Sequence, residues 1–201
     1  MRVGIFGGTF DPPHIGHINA LKAYIDKFNF EKVFVIPVFL PPHKSNESSV
    51  SARDRLNMSR LAFENLSKTV FVSDLEIKRK GKSYTADTIR YFVENGYDDI
   101  YFLCGTDMLL TLGTWYKPEY IFQSATIVYI RRENDDLISK EIEEKKQEYF
   151  SKYDAKILCL DSNPLEISST EIRNSLEDNS DKFLSKEVYE YIKSNGLYSN
   201  R

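Results

Sequence analysis

The sequence has little cysteine, no long apolar run and no excess of positive charge, and each shortage removes a class of function. Its two cysteines, Cys104 and Cys159, each sit inside an apolar run, so neither a disulfide framework nor a CxxC metal pair can be assembled. Both read as buried reduced thiols. No segment approaches the roughly eighteen consecutive apolar residues needed to span a bilayer, which excludes a membrane-spanning helix and leaves no membrane partner. Lys and Arg number 27 against 30 Asp and Glu, a formal net charge of −3. That balance lacks the broad positive field on which nonspecific nucleic-acid binding depends. No nucleic-acid partner is expected, and any anionic ligand must be held locally. The opening Arg2-Val3-Gly4-Ile5-Phe6 is too polar, and too soon interrupted by glycine, for a secretory signal, so a cytoplasmic location is expected.

What remains is an ordinary globular composition, 41% hydrophobic and 28% charged over 201 residues, suited to one domain spanning 1–201. β-rich runs occur at 2–6, 33–36, 70–73, 99–103, 125–130 and 156–160, mostly continuous rather than alternating, as in strands covered on both faces. Helix-like stretches at 15–28, 51–66, 85–95 and 135–149 separate them. The alternation predicts an α/β fold, a doubly wound parallel sheet with right-handed crossovers and ligands beyond the carboxyl ends of its strands. Ser185 to Ser194, followed by Asn195-Gly196, reads as a helix with a glycine stop, so that about 168–195 forms a helical closure.

Directly after the first strand stands Gly7-Gly8-Thr9-Phe10-Asp11-Pro12-Pro13-His14-Ile15-Gly16-His17, a strand, a glycine turn and a helix start. The glycines let backbone approach a phosphate, and the helix start supplies unpaired N–H groups with a favourable dipole. His14 and His17 stand three apart at that helix start, so both project toward the same ligand. A histidine is more often a surface or core group, but two of the chain's three histidines share this motif. Zinc would need further ligands at a supporting spacing, and the string is neither GxGxxG nor GxxxxGK[ST].

The second chemical string is Ile167-Ser168-Ser169-Thr170-Glu171-Ile172-Arg173. Ser168 and Glu171 have capping-box spacing, which leaves the amides near Ser169 and Thr170 open to a ligand with Arg173 one turn deeper. By itself it reads more readily as an ordinary capped surface helix.

Together the two strings resemble the nucleotidylyltransferase superfamily, whose signature is a histidine pair separated by two residues after a first-strand glycine turn, followed late in the chain by hydroxyl residues and an arginine. The resemblance covers almost the whole chain and is nearest to the bacterial nicotinate mononucleotide adenylyltransferases. The HxGH pair also occurs in class I aminoacyl-tRNA synthetases and phosphopantetheine adenylyltransferases, so it specifies only the chemistry. The resemblance implies a Rossmann-like fold, transfer of adenylyl from ATP to nicotinate mononucleotide in NAD synthesis, and Mg²⁺ carried on the ATP phosphates with no dedicated metal site on the protein.

Residue by residue, the resemblance implies catalytic roles for His14, His17 and Arg173. It implies ATP contacts from Gly7, Gly8, Thr9, Phe10, Ser168, Ser169 and Thr170, and from Gly105 and Asp107 in Cys104-Gly105-Thr106-Asp107, where Asp107 otherwise reads as a cap for the following helix. On the acceptor side it implies His43 and Lys44, which end the loop Pro37-Val38-Phe39-Leu40-Pro41-Pro42-His43-Lys44, otherwise a plain surface connection. Thr85, otherwise only an N-cap, and Trp115 with Tyr116, otherwise core aromatics, are implied to hold the pyridine ring and its substituent. Relatives carry Arg-Pro-Gly after the fifth strand where this chain has Arg131-Arg132-Glu133-Asn134. That departure leaves open which of Arg131 and Arg132, if either, reaches the acceptor phosphate, with Arg132 the favoured one. The alternatives are a phosphopantetheine adenylyltransferase, disfavoured by Trp115 and the 41–44 segment, and a nucleotide sensor without catalysis, disfavoured by the intact His14, His17 and Arg173. Oligomeric state is left open, a homo-oligomer included.

Overall fold

The computed structural model describes residues 1–42, 50–131, 136–161, 167–175 and 180–199. Within them, strands β1 (Arg2–Gly8), β2 (Lys32–Pro37), β3 (Val70–Val72), β4 (Asp99–Gly105), β5 (Thr126–Ile130) and β6 (Ile157–Leu160) form a single sheet in the order β3-β2-β1-β4-β5-β6. All neighbouring pairs are parallel. Each of the six expected runs is a strand, so the doubly wound α/β expectation holds. The order reverses between β1 and β4, and a crevice opens there beyond the carboxyl ends of the strands.

The continuous apolar runs arise because both faces of the sheet are covered, so alternate residues enter different cores. On β1, Val3 and Ile5 pack with Ile100, Phe102 and Cys104 of β4 beneath α4 (Thr85–Glu94), α6 (Pro118–Ser124) and α7 (Asp136–Tyr153). Phe6 turns to the opposite face with Leu103, beneath α1 (Ile15–Lys27), α2 (Ala52–Phe63) and α9 (Lys186–Ser194). Helix α1 buries Ile18, Leu21 and Tyr24, and α2 is capped by Ser51, whose side chain accepts from Asp54 N–H at 3.1 Å.

Two short helices lie where the sequence predicts none, α3 (Leu75–Arg79) and α6, while α5 (Thr106–Thr111) is the helix that the reading of Asp107 as a cap placed after it. Helix α3 contains Lys78, so the basic stretch 78–82 is a helix end followed by the turn at Lys80-Gly81, both with positive φ. Helix α2 ends at Phe63 rather than 66, and α7 runs on to Tyr153 rather than 149. Cys159 is half-buried rather than buried, because β6 is an edge strand with Leu158 exposed. A 3₁₀ turn at Ser180–Phe183 separates α8 (Ser169–Asn174) from α9. No helix among the described residues is long and apolar enough to cross a membrane.

Candidate active site

Gly7 and Gly8 end β1 at the strand-order reversal, and the chain then loops through Thr9–Pro13 into α1. A Cβ on Gly8 would lie 2.7 Å from the Phe10 ring, so glycine is what allows that ring to fold back beneath the turn. Phe10 adopts φ 50° and is buried. Its ring packs edge-on against Phe6, Phe63 and His17 at centroid distances of 5.3, 5.3 and 5.2 Å. The Phe10 side chain is therefore a core group, and only its backbone faces the loop.

His14 is the N-cap of α1, in extended conformation, and its carbonyl accepts from His17 N–H at 2.9 Å and Ile18 N–H at 3.1 Å. In return, His17 Nδ1 accepts from His14 N–H at 3.2 Å. An Nδ1 that accepts a backbone N–H puts the ring proton on Nε2, which makes His17 Nε2 a donor. The two rings lie 3.7 Å apart, tilted by 33°. Gly16 makes this possible: a Cβ there would sit 3.0 Å from His14 Cε1 and Nδ1 and 3.3 Å from Ile167 Cγ2.

Ile167 belongs to the second string, which is docked against the first. Ser169 Oγ donates to Pro12 O at 2.9 Å, and Arg173 Nη1 donates to Asp11 O at 2.6 Å across 162 residues. The capping box exists as expected: Ser168 Oγ accepts from Glu171 N–H at 3.2 Å, and Glu171 Oε2 accepts from Ser168 N–H at 2.7 Å. Hydrogen bonds from the Ser168 side chain and backbone, with the nearby His14 adding to them, hold the Glu171 carboxyl below its ordinary range. Arg173 Nη2 donates to Thr170 Oγ1 at 3.0 Å, while its Nε is buried with no hydrogen-bond partner among the described residues.

On the other face of the crevice lies a cavity of about 500 Å³ lined by Gly7, Gly8, Thr9, Thr85, Asp107, Trp115 and Tyr116, together with Pro41, Pro42, Glu76, Ser83 and Tyr84. The structure thus gathers seven of the expected site residues in one cavity. His14, His17 and Ser168–Arg173 stand outside its lining, on the side of the glycine turn covered by α1 and α8. The helix expected to be capped by Thr85 is instead capped by Tyr84, with Thr85 its first residue; the cap carbonyl accepts from Asp87 and Thr88 N–H. The amides of Thr85 and Ala86 therefore precede any intrahelical acceptor. Gly105, not Asp107, is the N-cap of α5, which leaves the exposed Asp107 facing the cavity. Trp115 Nε1 donates to Thr111 Oγ1 at 3.3 Å, and Tyr84 and Tyr116 rings lie 4.7 Å apart. Among the described residues no three His, Cys, Asp or Glu side chains gather within reach of one ion. His43, Lys44 and Arg132 lie outside the described residues, and the neighbouring Arg131 donates to Ser139 Oγ of α7.

The chain has relatives among known proteins. The cytidylyltransferase-like family model matches residues 5–175. A Clostridium botulinum (strain Langeland) protein named "Probable nicotinate-nucleotide adenylyltransferase" is 39% identical over 198 residues, covering 96% of this chain and 97% of its own. A Listeria welshimeri protein of the same name is 37% identical over 202 residues, covering 100% of this chain and 98% of its own. The chain belongs to the nicotinate-nucleotide adenylyltransferases of the cytidylyltransferase-like family. The solved Plasmodium falciparum nicotinic acid mononucleotide adenylyltransferase complexed with NaAD shares the fold, with a TM-score of 0.77 at 22% identity, covering 100% of this chain and 98% of its own.

For a member of this family, the residues that hold the two strings in place are as informative as the strings themselves. Arg55, fully buried on α2, donates to Thr9 O at 2.8 Å, Val38 O at 2.7 Å and Phe39 O at 3.0 Å. It ties the glycine turn to the prolyl loop, and burial lowers its pKa, opposed by Asp11 and Tyr198. Ser83 pins the same loop: its Oγ accepts from Phe39 N–H at 2.9 Å and its N–H donates to Leu40 O at 2.9 Å. Glu76, also buried, accepts from Thr88 Oγ1 at 2.6 Å and lies 3.8 Å from Arg79. None of the three stands out in the sequence. For Arg55 a signal exists, since it falls in the buried stripe of α2 with Met58, Ser59 and Ala62.

Proposed function

We propose that this chain transfers the adenylyl group of ATP to nicotinate mononucleotide, giving nicotinate adenine dinucleotide and pyrophosphate. The observation that carries this reading is the docking of the Ser168–Arg173 helix start onto the Asp11–His17 loop, beside an aromatic-walled cavity at the strand-order reversal. The acceptor 5′-phosphate is already anionic at neutral pH, so one of its oxygens attacks the α-phosphorus directly while the bond to the departing pyrophosphate breaks. No protein nucleophile or base is required. His14, His17 and Arg173 hold the triphosphate and stabilise charge on the α-phosphoryl oxygens and on pyrophosphate. The buried Arg173 Nε and the Nε2–H of His17 supply donors for this. Gly7, Gly8, Thr9, the Phe10 backbone and Ser168–Thr170 bound the ATP phosphates, with Gly105 and Asp107 at the adenosine end. His43, Lys44 and Arg132 supply the cations for the acceptor phosphate. ATP enters as its Mg²⁺ complex, the ion riding on phosphate and water oxygens. Residues 1–201 work as one unit closed by about 168–195.

In the acceptor pocket, Trp115 stacks on the pyridine ring and the amides at Thr85 and Tyr116 face its substituent. Backbone amides only donate, so a ring carboxylate satisfies both, whereas a carboxamide must turn its own N–H₂ toward a donor. An unpaired buried donor costs about 1–3 kcal/mol, so nicotinate is preferred over nicotinamide mononucleotide by roughly tenfold to a few hundredfold in kcat/KM. The test incubates purified protein and MgATP with nicotinate mononucleotide, nicotinamide mononucleotide or phosphopantetheine. Nicotinate adenine dinucleotide as the favoured product supports the reading; dephospho-coenzyme A, or nucleotide binding without turnover, refutes it.

A further inference from the structure

The segment after α9 returns to the first motif. Helix α9 docks on α2 through Tyr191, whose hydroxyl donates to Asp54 Oδ1 at 3.0 Å and accepts from Asn57 Nδ2 at 2.9 Å. The chain then turns at Asn195-Gly196, Leu197 and Tyr198 pack on the α1/α2 core, and Tyr198 adopts φ 66°. This places the Tyr198 hydroxyl 2.8 Å from Asp11 Oδ1, which it meets as a donor across 187 residues. The other carboxylate oxygen of Asp11 lies 3.8 Å from Arg173 Nη1, although the same Nη1 donates to the Asp11 backbone carbonyl at 2.6 Å. Asp11 is 4% exposed.

A buried carboxylate next to a guanidinium would ordinarily close to a contact ion pair, and an arginine neutralised in that way has less charge to offer a phosphate. Here a phenol donates to one carboxylate oxygen, and Arg173 Nη1 makes its short hydrogen bond to the neutral backbone carbonyl while its ion-pair distance to the other carboxylate oxygen stays at 3.8 Å. We propose that Tyr198 is a positioning residue: its hydrogen bond to Asp11 keeps the Arg173 guanidinium from collapsing onto the Asp11 carboxylate and so leaves it available to the anionic substrate. The proposal rests on the adenylyl-transfer reading of the site. Burial and the Asp11 charge push the Tyr198 phenol far above its ordinary range, so the hydroxyl remains a donor throughout neutral pH.

The experiment is a double-mutant cycle of Tyr198→Phe and Asp11→Asn, read by steady-state kinetics with ATP and nicotinate mononucleotide alongside thermal unfolding midpoints. Tyr198→Phe keeps the ring that packs on the core, so the midpoint should shift little. Its kcat/KM for ATP should fall about tenfold, the range for one lost hydrogen bond in a charged network, while KM for the mononucleotide stays within about twofold. Because Asp11→Asn removes the charge that would capture Arg173, the double variant should be more active than Tyr198→Phe alone. A role confined to stability predicts the reverse, a lowered midpoint with kcat/KM unchanged well below it. Tyr198→Phe within about twofold of the unsubstituted protein, or a double variant no more active than Tyr198→Phe, overturns the proposal while adenylyl transfer stands. An inactive unsubstituted protein overturns both.

Discussion

At His17 a single hydrogen bond decides what the ring can do. With Nδ1 accepting from the His14 amide, the ring proton is on Nε2, which serves as a donor. His17→Ala should therefore retain the fold and lose on the order of 10²- to 10³-fold in kcat, the range for removing one oriented transition-state donor, and His14→Ala should do likewise. Turnover near that of the unsubstituted protein at saturating substrates, in either variant, would remove that residue from the mechanism. Glu76 gives a different kind of test, one of stability. Burial raises its folded-state pKa more than Thr88, Ser83 and Arg79 lower it. A carboxyl raised in the folded state contributes most below the ordinary glutamate range, and that contribution fades as pH rises through the folded value. Glu76→Gln should match the unsubstituted protein in unfolding midpoint near about pH 4 and gain on it toward about pH 8. A difference that is flat with pH, or that grows in favour of Glu76, would contradict the assignment of burial as the dominant influence.

Helix α1 keeps a glycine in its first turn at the expense of its own stability. Gly16 lies in its first turn, where alanine would favour the helix by up to about 1 kcal/mol, but a Cβ there would press on the His14 ring and on Ile167. Gly16→Ala is expected to leave the unfolding midpoint unchanged or raised while lowering kcat about tenfold or more, since small misplacements of a catalytic group are costly. Full turnover in a stabilised variant would show that the His14 position is not critical. The elements themselves are legible in the sequence to different degrees. Strands read correctly because burial on both faces makes each a continuous apolar run, and long helices because they repeat their period several times. Helices α3, α5 and α6 contain five to seven residues, too few turns for a period to emerge. The cap of α4 falls one residue before the expected one because Tyr84 has no capping side chain, and the hydroxyl beside it draws the reading to Thr85. Cys159 is more exposed than expected because an apolar run cannot reveal that its strand is at the sheet edge.

Over the whole molecule, the two linear strings are legible in the sequence because each is a local pattern with its own capping or turn chemistry. What joins them is not. The contacts of Arg173 with Asp11, Tyr198 with Asp11, and Arg55 with Thr9, Val38 and Phe39 span from 16 to 187 residues, and no local pattern announces them. They exist because the 3-2-1-4-5-6 strand order brings the ends of β1 and β4 side by side, with α8 and the segment after α9 folded over one side and α4 and α5 over the other. The fold thus places the docked His14–His17 and Ser168–Arg173 strings on one flank of the glycine turn and an aromatic-lined cavity on the other, the arrangement in which the proposed reaction would bring its two anionic substrates together. The claim that this meeting is an adenylyl transfer is tested most directly by following the α-phosphorus. Purified protein is incubated with nicotinate mononucleotide and MgATP labelled in that atom. The label should appear in nicotinate adenine dinucleotide, with unlabelled pyrophosphate released in equal amount; label recovered only in ATP, ADP or free AMP would contradict the account.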